Sequence, residues 1–202
     1  MIAGRTGSGK STLACWLLER SAQHWIVLNP KHTAAYRGLS DVIVFDKFDE
    51  RAIRKELQRT KFVSLNFSGD EAKADFMDQV ILWLHESVKN VGICADELYT
   101  LHSASGRAGD GLIGWLTRGR ENHQSFLGLT QRPAWISRFV VSEADYICAM
   151  DLVLEDDRMR MRDATGHDAF MNRVRDFRWL FYDVAGDSLV LYGAIPTENL
   201  KA

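Results

Sequence analysis

The stretch GRTGSGKS, Gly4–Ser11, decides the fold. It matches the pattern G-x-x-x-x-G-K-[S/T] in full, follows a short apolar fragment and precedes a segment with helical patterning. In a loop of this type backbone N–H groups converge on phosphate oxygens, and side chains at Gly7 or Gly9 would obstruct that approach. A helix that begins directly after the loop adds the attraction of its N-terminal dipole for an anion. The motif therefore predicts a phosphate-binding loop between a strand and a helix.

Two side chains of this loop carry the expected chemistry. Lys10 should reach the β- and γ-phosphates of ATP, and the hydroxyl of Ser11 should ligate Mg²⁺. A glycine-rich turn with an incidental lysine is the structural alternative. The residues expected to contact the nucleotide are Thr6, Gly7, Ser8, Gly9, Lys10, Ser11 and Thr12.

An acidic pair, Asp96 and Glu97, follows the apolar run VGICA, Val91–Ala95. A buried strand there would deliver both carboxylates to the carboxyl edge of a parallel sheet, beside the phosphate loop. Asp96 would then hold Mg²⁺ together with Ser11, and Glu97 would polarise the attacking water. Such a pair is often only a helix N-cap, and the phosphate loop is what favours the catalytic interpretation.

The next apolar run, SFLGLT at Ser125–Thr130, is followed by Gln131. The amide of Gln131 could hydrogen-bond the γ-phosphate or the water and so report hydrolysis. A polar strand end before a helix that begins at Pro133 is the structural alternative.

Short apolar runs alternate with helical segments along the chain. Runs without clean alternation, such as VGICA and SFLGLT, indicate central strands buried on both faces of a parallel sheet. A long amphipathic helix, capped by Ser68 or Asp70, should pack against that sheet. We predict one domain over residues 1–202, an α/β three-layer P-loop NTPase (RecA/ASCE-like) with a mostly parallel central sheet and a C-terminal antiparallel hairpin at its edge.

The second half of the chain closes the predicted fold. After a strand at Tyr146–Met150, we expect helical segments at about Glu155–Arg162 and His167–Arg175. The segments FRWLFYDV and SLVLYGAI, which the turn AGD joins, predict the hairpin. The composition of His102–Gly111 favours a mobile loop just after the acidic pair.

Composition excludes some classes of protein and leaves others open. The net charge of -2 does not indicate nucleic-acid binding over the whole surface, so a phosphate contact would need a local patch. No apolar run reaches the length of a membrane-spanning helix, and no signal peptide is visible, so we expect work in a cytoplasm. Between Asn90 and Leu200 the basic residues are all arginine, which suits bidentate phosphate recognition and subunit interfaces. Solvated helix faces explain that bias equally well.

The motifs together resemble the FtsK and HerA superfamily of P-loop translocases, and within it the genome-packaging ATPases of tailless, membrane-containing viruses. The marks are GRTGSGKS, a strand that ends in LNPK, the ADE pair, and LTRGREN leading into LTQRP. The last combination is the most specific, because simple nucleotide kinases do not carry it. The resemblance runs from Ile2 to about Arg138.

This resemblance implies roles for individual residues. Arg118 or Arg120, both in LTRGREN, is implied as an arginine finger that enters a neighbouring subunit's site, and a surface salt bridge is the alternative for either. The other matching residues keep the roles given above: Lys10, Ser11, Asp96, Glu97 and Gln131.

The resemblance also implies partners. It predicts a homo-oligomeric ring, with a hexamer as the expected size, that moves double-stranded DNA without sequence specificity. Arg107 is a candidate DNA contact, and a capsid or membrane protein of the virion is a further candidate partner. The expected location is the host cytoplasm or the virion. Two features depart from the family: Asn29 replaces a usual acidic residue, and only Met1–Ala3 precede the loop.

Two other functions compete with the packaging motor. A small-molecule or nucleoside kinase is supported by the chain length and by RMRMR, Arg158–Arg162, which could clamp phosphates as a lid. The presence of Glu97 and Gln131 argues against a kinase. A phage assembly ATPase that never touches DNA is the third reading.

Overall fold

The computed structural model describes residues 1–102 and 106–196. These residues contain a sheet of nine strands, in the spatial order β3-β4-β2-β5-β6-β1-β7-β8-β9. The strands are β1 (Ile2–Ala3), β2 (His24–Leu28), β3 (Ile43–Phe45), β4 (Phe62–Leu65), β5 (Val91–Ala95), β6 (Ser125–Thr130), β7 (Tyr146–Ala149), β8 (Trp179–Asp183) and β9 (Ser188–Tyr192). All neighbours pair in parallel except β7 with β8 and β8 with β9, which are antiparallel.

Helices cover both faces of this sheet. They are α1 (Lys10–Arg20), α2 (Glu50–Glu56), α3 (Ala74–Ser87), α4 (Asp110–Arg118), α5 (Arg138–Ser142) and α6 (Glu155–Thr165). In β2, Ile26 belongs to one hydrophobic cluster, with α3 and α4, whereas Val27 belongs to the other, with α1. Because alternate residues of a strand face opposite sides, the two clusters lie on opposite faces of the sheet. The predicted three-layer P-loop architecture, with its antiparallel C-terminal hairpin, is confirmed.

The strand order brings the predicted chemistry together. The two-residue strand β1 lies in the centre of the sheet, between β6 and β7, and β6 separates it from β5. Since these four strands are parallel, the loops that follow them emerge side by side at the carboxyl edge.

Two predicted helix positions are wrong, and in both a 3₁₀ turn stands where the α-helix was expected. Lys73 is extended, with φ of -71° and ψ of 149°, so a separate 3₁₀ turn at Gly69–Ala72 precedes α3, which begins only at Ala74. The predicted helix at His167–Arg175 is a 3₁₀ turn at Asp168–Met171 followed by irregular chain.

Part of the predicted mobile loop lies outside the described residues, namely positions 103–105. On either side of them, His102 and Ala108 form an antiparallel bridge, and α4 already begins at Asp110. No helix within residues 1–102 and 106–196 is long and apolar enough to cross a membrane.

Candidate nucleotide site

The phosphate loop is shaped by backbone that only glycine adopts readily. Gly7 and Gly9 have φ of 74° and 99°, in the left-handed region, and Gly9 is the residue from which α1 starts. A Cβ on Gly4 would come within 2.6 Å of Ser8 Oγ, so the loop closes too tightly for any other residue there. The predicted contacts Thr6 to Thr12 therefore line one turn and the start of one helix.

Lys10 lies at the first position of α1 and is buried. Its Nζ donates to the carbonyl oxygen of Arg5 at 3.1 Å, within the loop itself. Burial lowers the pKa of Lys10, and the negative charges of Glu97 and Asp96 oppose that shift. These electrostatic interactions join the lysine of the loop to the acidic pair of β5.

Asp96 directly follows β5, and its backbone N–H continues the ladder to Leu28 of β2. Its carboxylate is buried and accepts from the hydroxyls of Thr33 at 2.6 Å and Tyr36 at 3.2 Å. Burial raises the pKa of Asp96, although both hydrogen bonds oppose the rise. The charged form is therefore poorly compensated by the groups that surround it.

The turn that carries Thr33 depends on Asn29, the residue that departs from the family pattern. Asn29 Oδ1 accepts from the backbone N–H of Thr33 at 2.8 Å, and Nδ2 donates to the carbonyl of the same residue at 3.3 Å. An amide, unlike a carboxylate, can satisfy both backbone groups. The side chain at 29 thus folds the segment that brings Lys31 and Thr33 to the acidic pair.

Glu97 turns sharply away from Asp96, with φ of 68° in the left-handed region. Its buried carboxylate contacts two partners through Oε1: Lys31 Nζ at 2.9 Å and the Nε2 donor of Gln131. The second oxygen, Oε2, is buried and has no hydrogen-bond partner among the described residues. An unpaired buried carboxylate oxygen is costly, so this atom indicates where a bound group would be accommodated.

Gln131 joins the loop to the acidic pair. Its Oε1 accepts from the hydroxyl of Thr6 at 2.5 Å while its Nε2 donates to Glu97. The amide thus links the phosphate loop, which follows β1, to the acidic pair, which follows β5. The sequence placed Gln131 at the end of β6, and this bridge is the contact that it makes there.

The hydroxyl of Tyr36 connects Ser11 with Asp96, the two predicted metal ligands. It donates to Asp96, and the side chain of Ser11 interacts with the same hydroxyl. Among the described residues, no cluster of three or more His, Cys, Asp or Glu side chains could hold a metal. Mg²⁺ needs no such cluster when phosphate oxygens supply further ligands, so one hydroxyl and one carboxylate fit this ion.

A carboxylate that none of the sequence motifs predicts lies on the other side of the loop. Asp151 follows β7 and accepts from Arg5 Nε at 2.7 Å and from both Nε and an NH₂ group of Arg173, at 2.8 and 2.6 Å. The bonds to Arg173, supported by Arg5, lower the pKa of Asp151 to about 2. The signal was available, because Asp151 follows a buried strand as Asp96 does.

Both arginine-finger candidates lie at the opposite edge of the sheet. Arg118 ends α4 and Arg120 lies in the following 3₁₀ turn, just before β6 begins. The six residues of β6 separate this place from Gln131, a distance of roughly 20 Å. Arg118 is exposed, and Arg120, also exposed, pairs with Asp145. Neither side chain is near the phosphate loop of its own chain.

Comparison with known proteins finds viral DNA-packaging ATPases among the similar proteins. No protein-family model matches the chain. The DNA packaging ATPase P9 of Enterobacteria phage PRD1 is 25% identical over 221 residues, which covers 98% of this chain and 88% of that protein. The genome packaging NTPase B204 of Sulfolobus turreted icosahedral virus 2, solved with ATPγS, has a TM-score of 0.76 at 15% identity and 96% coverage of each chain.

A second protein of another name has the same fold. VirB4 of Thermoanaerobacter pseudethanolicus has a TM-score of 0.70 at 13% identity, with 100% of this chain and 90% of that chain covered. At these identities the structural likeness shows the fold, and the phage relative adds a likeness in sequence along nearly the whole chain. The predicted resemblance to viral genome-packaging ATPases is confirmed as a similarity: the chain is similar in sequence to one of them along nearly its whole length, and it has the fold of the solved packaging NTPase and of VirB4.

Proposed function

We propose that this chain is a subunit of a viral genome-packaging motor, which hydrolyses ATP to ADP and phosphate and uses the energy to move double-stranded DNA. The observation that carries the proposal is the bridge from Thr6 through Gln131 to Glu97, which joins the phosphate loop to the acidic pair. The relatives are named as a DNA packaging ATPase and a genome packaging NTPase, which supports the same assignment.

The side chains of the site divide the work. Lys10 and the backbone of the loop bind the β- and γ-phosphates and neutralise charge that develops on them. Glu97 orients the attacking water and takes its proton, and its unpaired Oε2 is free to do so. Gln131 contacts both the loop and Glu97. A change in these contacts when the γ-phosphate is lost can therefore move the segment that follows β6.

Ser11 and Asp96 are the residues that would hold Mg²⁺. When bound, this ion supplies positive charge that neutralises the β- and γ-phosphate oxygens. Asp96 must be ionised for that role, and its raised pKa means that its surroundings favour the protonated form. A cation beside Asp96 would favour the ionised form, so binding of metal and loss of this proton should be coupled.

The motor is proposed to be a homo-oligomeric ring, expected to be a hexamer, with a capsid or membrane protein of the virion as a docking partner. Arg118 and Arg120 lie about one strand length from their own site, which leaves a neighbour's site as the one that either could enter. Arg107 is the proposed DNA contact. The proposed location is the host cytoplasm or the virion.

ATP hydrolysis with and without duplex DNA tests this function. We expect the chain to release phosphate from ATP without a small-molecule acceptor, and faster when duplex DNA of unrelated sequences is added, with an effect that falls steeply with salt. Lys10→Ala is the matched negative control. Consumption of ATP only with a small acceptor would identify a kinase, and hydrolysis indifferent to DNA would favour the assembly ATPase.

Mixed assemblies test the arginine finger. Arg118→Ala and Glu97→Gln, each inactive alone, should regain partial hydrolysis on mixing, because some sites would combine an intact Glu97 with a neighbour's intact Arg118. Arg120→Ala is the matched comparison, since Arg120 is engaged with Asp145. If mixing with Glu97→Gln restores activity to Arg120→Ala and not to Arg118→Ala, Arg120 is the finger. If mixing restores activity to neither variant, the finger proposal fails.

A further inference from the structure

An aromatic ring lies uncovered beside the phosphate loop. The side chain of Phe177 is 61% exposed, and its Cδ1 lies 3.5 Å from where a Cβ on Gly9 would stand. The Cε of Met150 lies 3.6 Å from the same point. An apolar surface therefore meets solvent at the place where α1 begins.

The backbone of Phe177 adopts a conformation that an aromatic residue rarely takes. Asp176 and Phe177 have φ of 61° and 55°, both in the left-handed region. Two contacts of Arg178 hold this turn, because its backbone N–H and its Nε both donate to the carbonyl of Arg175, at 3.2 and 3.3 Å. The next residue, Trp179, is buried and begins β8.

The same segment is tied to the phosphate loop. Arg173, four residues before Phe177, binds Asp151, which also binds Arg5 of the loop. The buried Trp179 after the turn at Asp176–Phe177 and the ion pair of Arg173 with Asp151 before it fix this turn relative to α1. The exposed ring is thus held in place by surrounding structure, and its exposure is a property of a fixed turn.

The strand order determines which part of a nucleotide would meet this ring. The groups that act on the γ-phosphate, Glu97 and Gln131, follow β5 and β6, on one side of β1. Phe177 and Met150 lie on the other side, at β7 and β8. A triphosphate that extends from Gln131 along the loop therefore directs its nucleoside end toward Phe177.

We propose that Phe177 is the stacking platform for the nucleobase of the bound nucleotide. This inference rests on the proposed nucleotide site and adds the part of the ligand that the phosphate loop does not contact. A phenyl ring offers a π face and no hydrogen bond, so the platform binds purines through stacking and does not itself distinguish adenine from guanine.

The test compares ATP with a ligand that has phosphates and no base. Binding of MgATP and of magnesium tripolyphosphate is measured by titration calorimetry for the native chain, Phe177→Ala and Phe177→Tyr. We expect Phe177→Ala to weaken ATP about tenfold and to leave tripolyphosphate within about twofold, whereas Phe177→Tyr keeps native affinity for both. Tyr146→Ala is the matched control, since Tyr146 is 54% exposed, close to Phe177, but lies at the opposite edge of the sheet.

A second readout covers the case in which Phe177→Ala perturbs the turn. In Phe177→Trp, ATP should quench the added indole fluorescence, relative to the native chain, and tripolyphosphate should not. The proposal is overturned if ATP leaves that fluorescence unchanged, or if Phe177→Ala weakens both ligands equally or neither. Lys10→Ala separates the two proposals: it should weaken both ligands, and if it weakens neither, the phosphate-loop assignment fails on its own.

Discussion

The phosphate loop has a carboxylate cluster on each flank, and the two clusters differ in how well their charge is compensated. On the β7 side, Asp151 binds two arginines, and those bonds lower its pKa to about 2. On the β5 side, burial raises the pKa of Asp96, and Glu97 has an oxygen without a partner in residues 1–102 and 106–196. Arginines of the same chain compensate the charge of the β7 flank, whereas the described residues leave the charge of the β5 flank partly uncompensated.

The difference assigns the flanks different tasks. Fully paired charges hold a structure, whereas groups whose charge is unfavourable in their own surroundings are typical of sites that bind or react. We therefore propose that Asp151 stabilises the loop and that phosphate and water react on the side of the acidic pair at the end of β5. This division makes opposite predictions for similar substitutions on the two flanks.

The largest difference is expected in turnover. Glu97→Gln removes the group proposed to take the proton from water, so hydrolysis should fall by about 10²- to 10⁴-fold while ATP binding persists. Asp151→Asn should retain turnover within about tenfold at saturating ATP, because Asp151 holds the loop and the Arg173 segment and binds neither Glu97 nor Gln131. Phosphate release and nucleotide titration of both variants measure the contrast. Equal losses of turnover in the two would erase the distinction between the flanks.

Thermodynamic stability should respond with opposite signs. Without nucleotide, Asp96→Asn should raise the free energy of unfolding at neutral pH by about 1 kcal/mol, because it removes a poorly compensated buried charge. Asp151→Asn should lower it by about 2 kcal/mol, because it leaves two arginines without their carboxylate. Urea denaturation of each variant beside the native chain gives both values. A loss of stability in Asp96→Asn would show that Asp96 is instead a structural anchor.

The dependence of these effects on pH separates charge from packing. The pKa of Asp151 is lowered from 3.8 to about 2, so its contribution is present above about pH 4 and is lost as pH falls toward 2. The raised pKa of Asp96 has the reverse sign: the folded state binds this proton more tightly, so stability falls as pH rises above 3.8 through the raised pKa. As pH falls toward 2, the melting temperature of Asp151→Asn should converge with that of the native chain. As pH rises above 3.8, the melting temperature of Asp96→Asn should rise increasingly above that of the native chain.

The sequence predicted the reacting flank better than the paired one, for a physical reason. Motif spacing and strand ends place Lys10, Asp96 and Gln131 at one edge, because parallel strands align their carboxyl ends. The pairing of Asp151 with Arg5 and Arg173 links residues far apart in the chain, and no local pattern encodes it. The helix predicted at His167–Arg175 failed likewise, because tertiary contacts hold that segment in turns.

The smallest effect on stability should come from substitution of Asn29, which holds the turn that carries Thr33 to Asp96 on the β5 flank. Asn29→Ala leaves the backbone N–H of Thr33 without its acceptor, so stability should fall by about 1 kcal/mol, as for loss of a helix cap. Asn29→Asp keeps that acceptor but adds negative charge near Asp96 and Glu97 and cannot donate to the Thr33 carbonyl. We therefore expect Asn29→Asp to lower stability as well. Added Mg²⁺ with ATP should restore more of the lost stability in Asn29→Asp than in Asn29→Ala, because a cation compensates charge and does not replace a missing hydrogen bond. Melting temperatures with and without MgATP distinguish the two variants, and equal restoration in both would mean that residue 29 acts on this flank only through the turn.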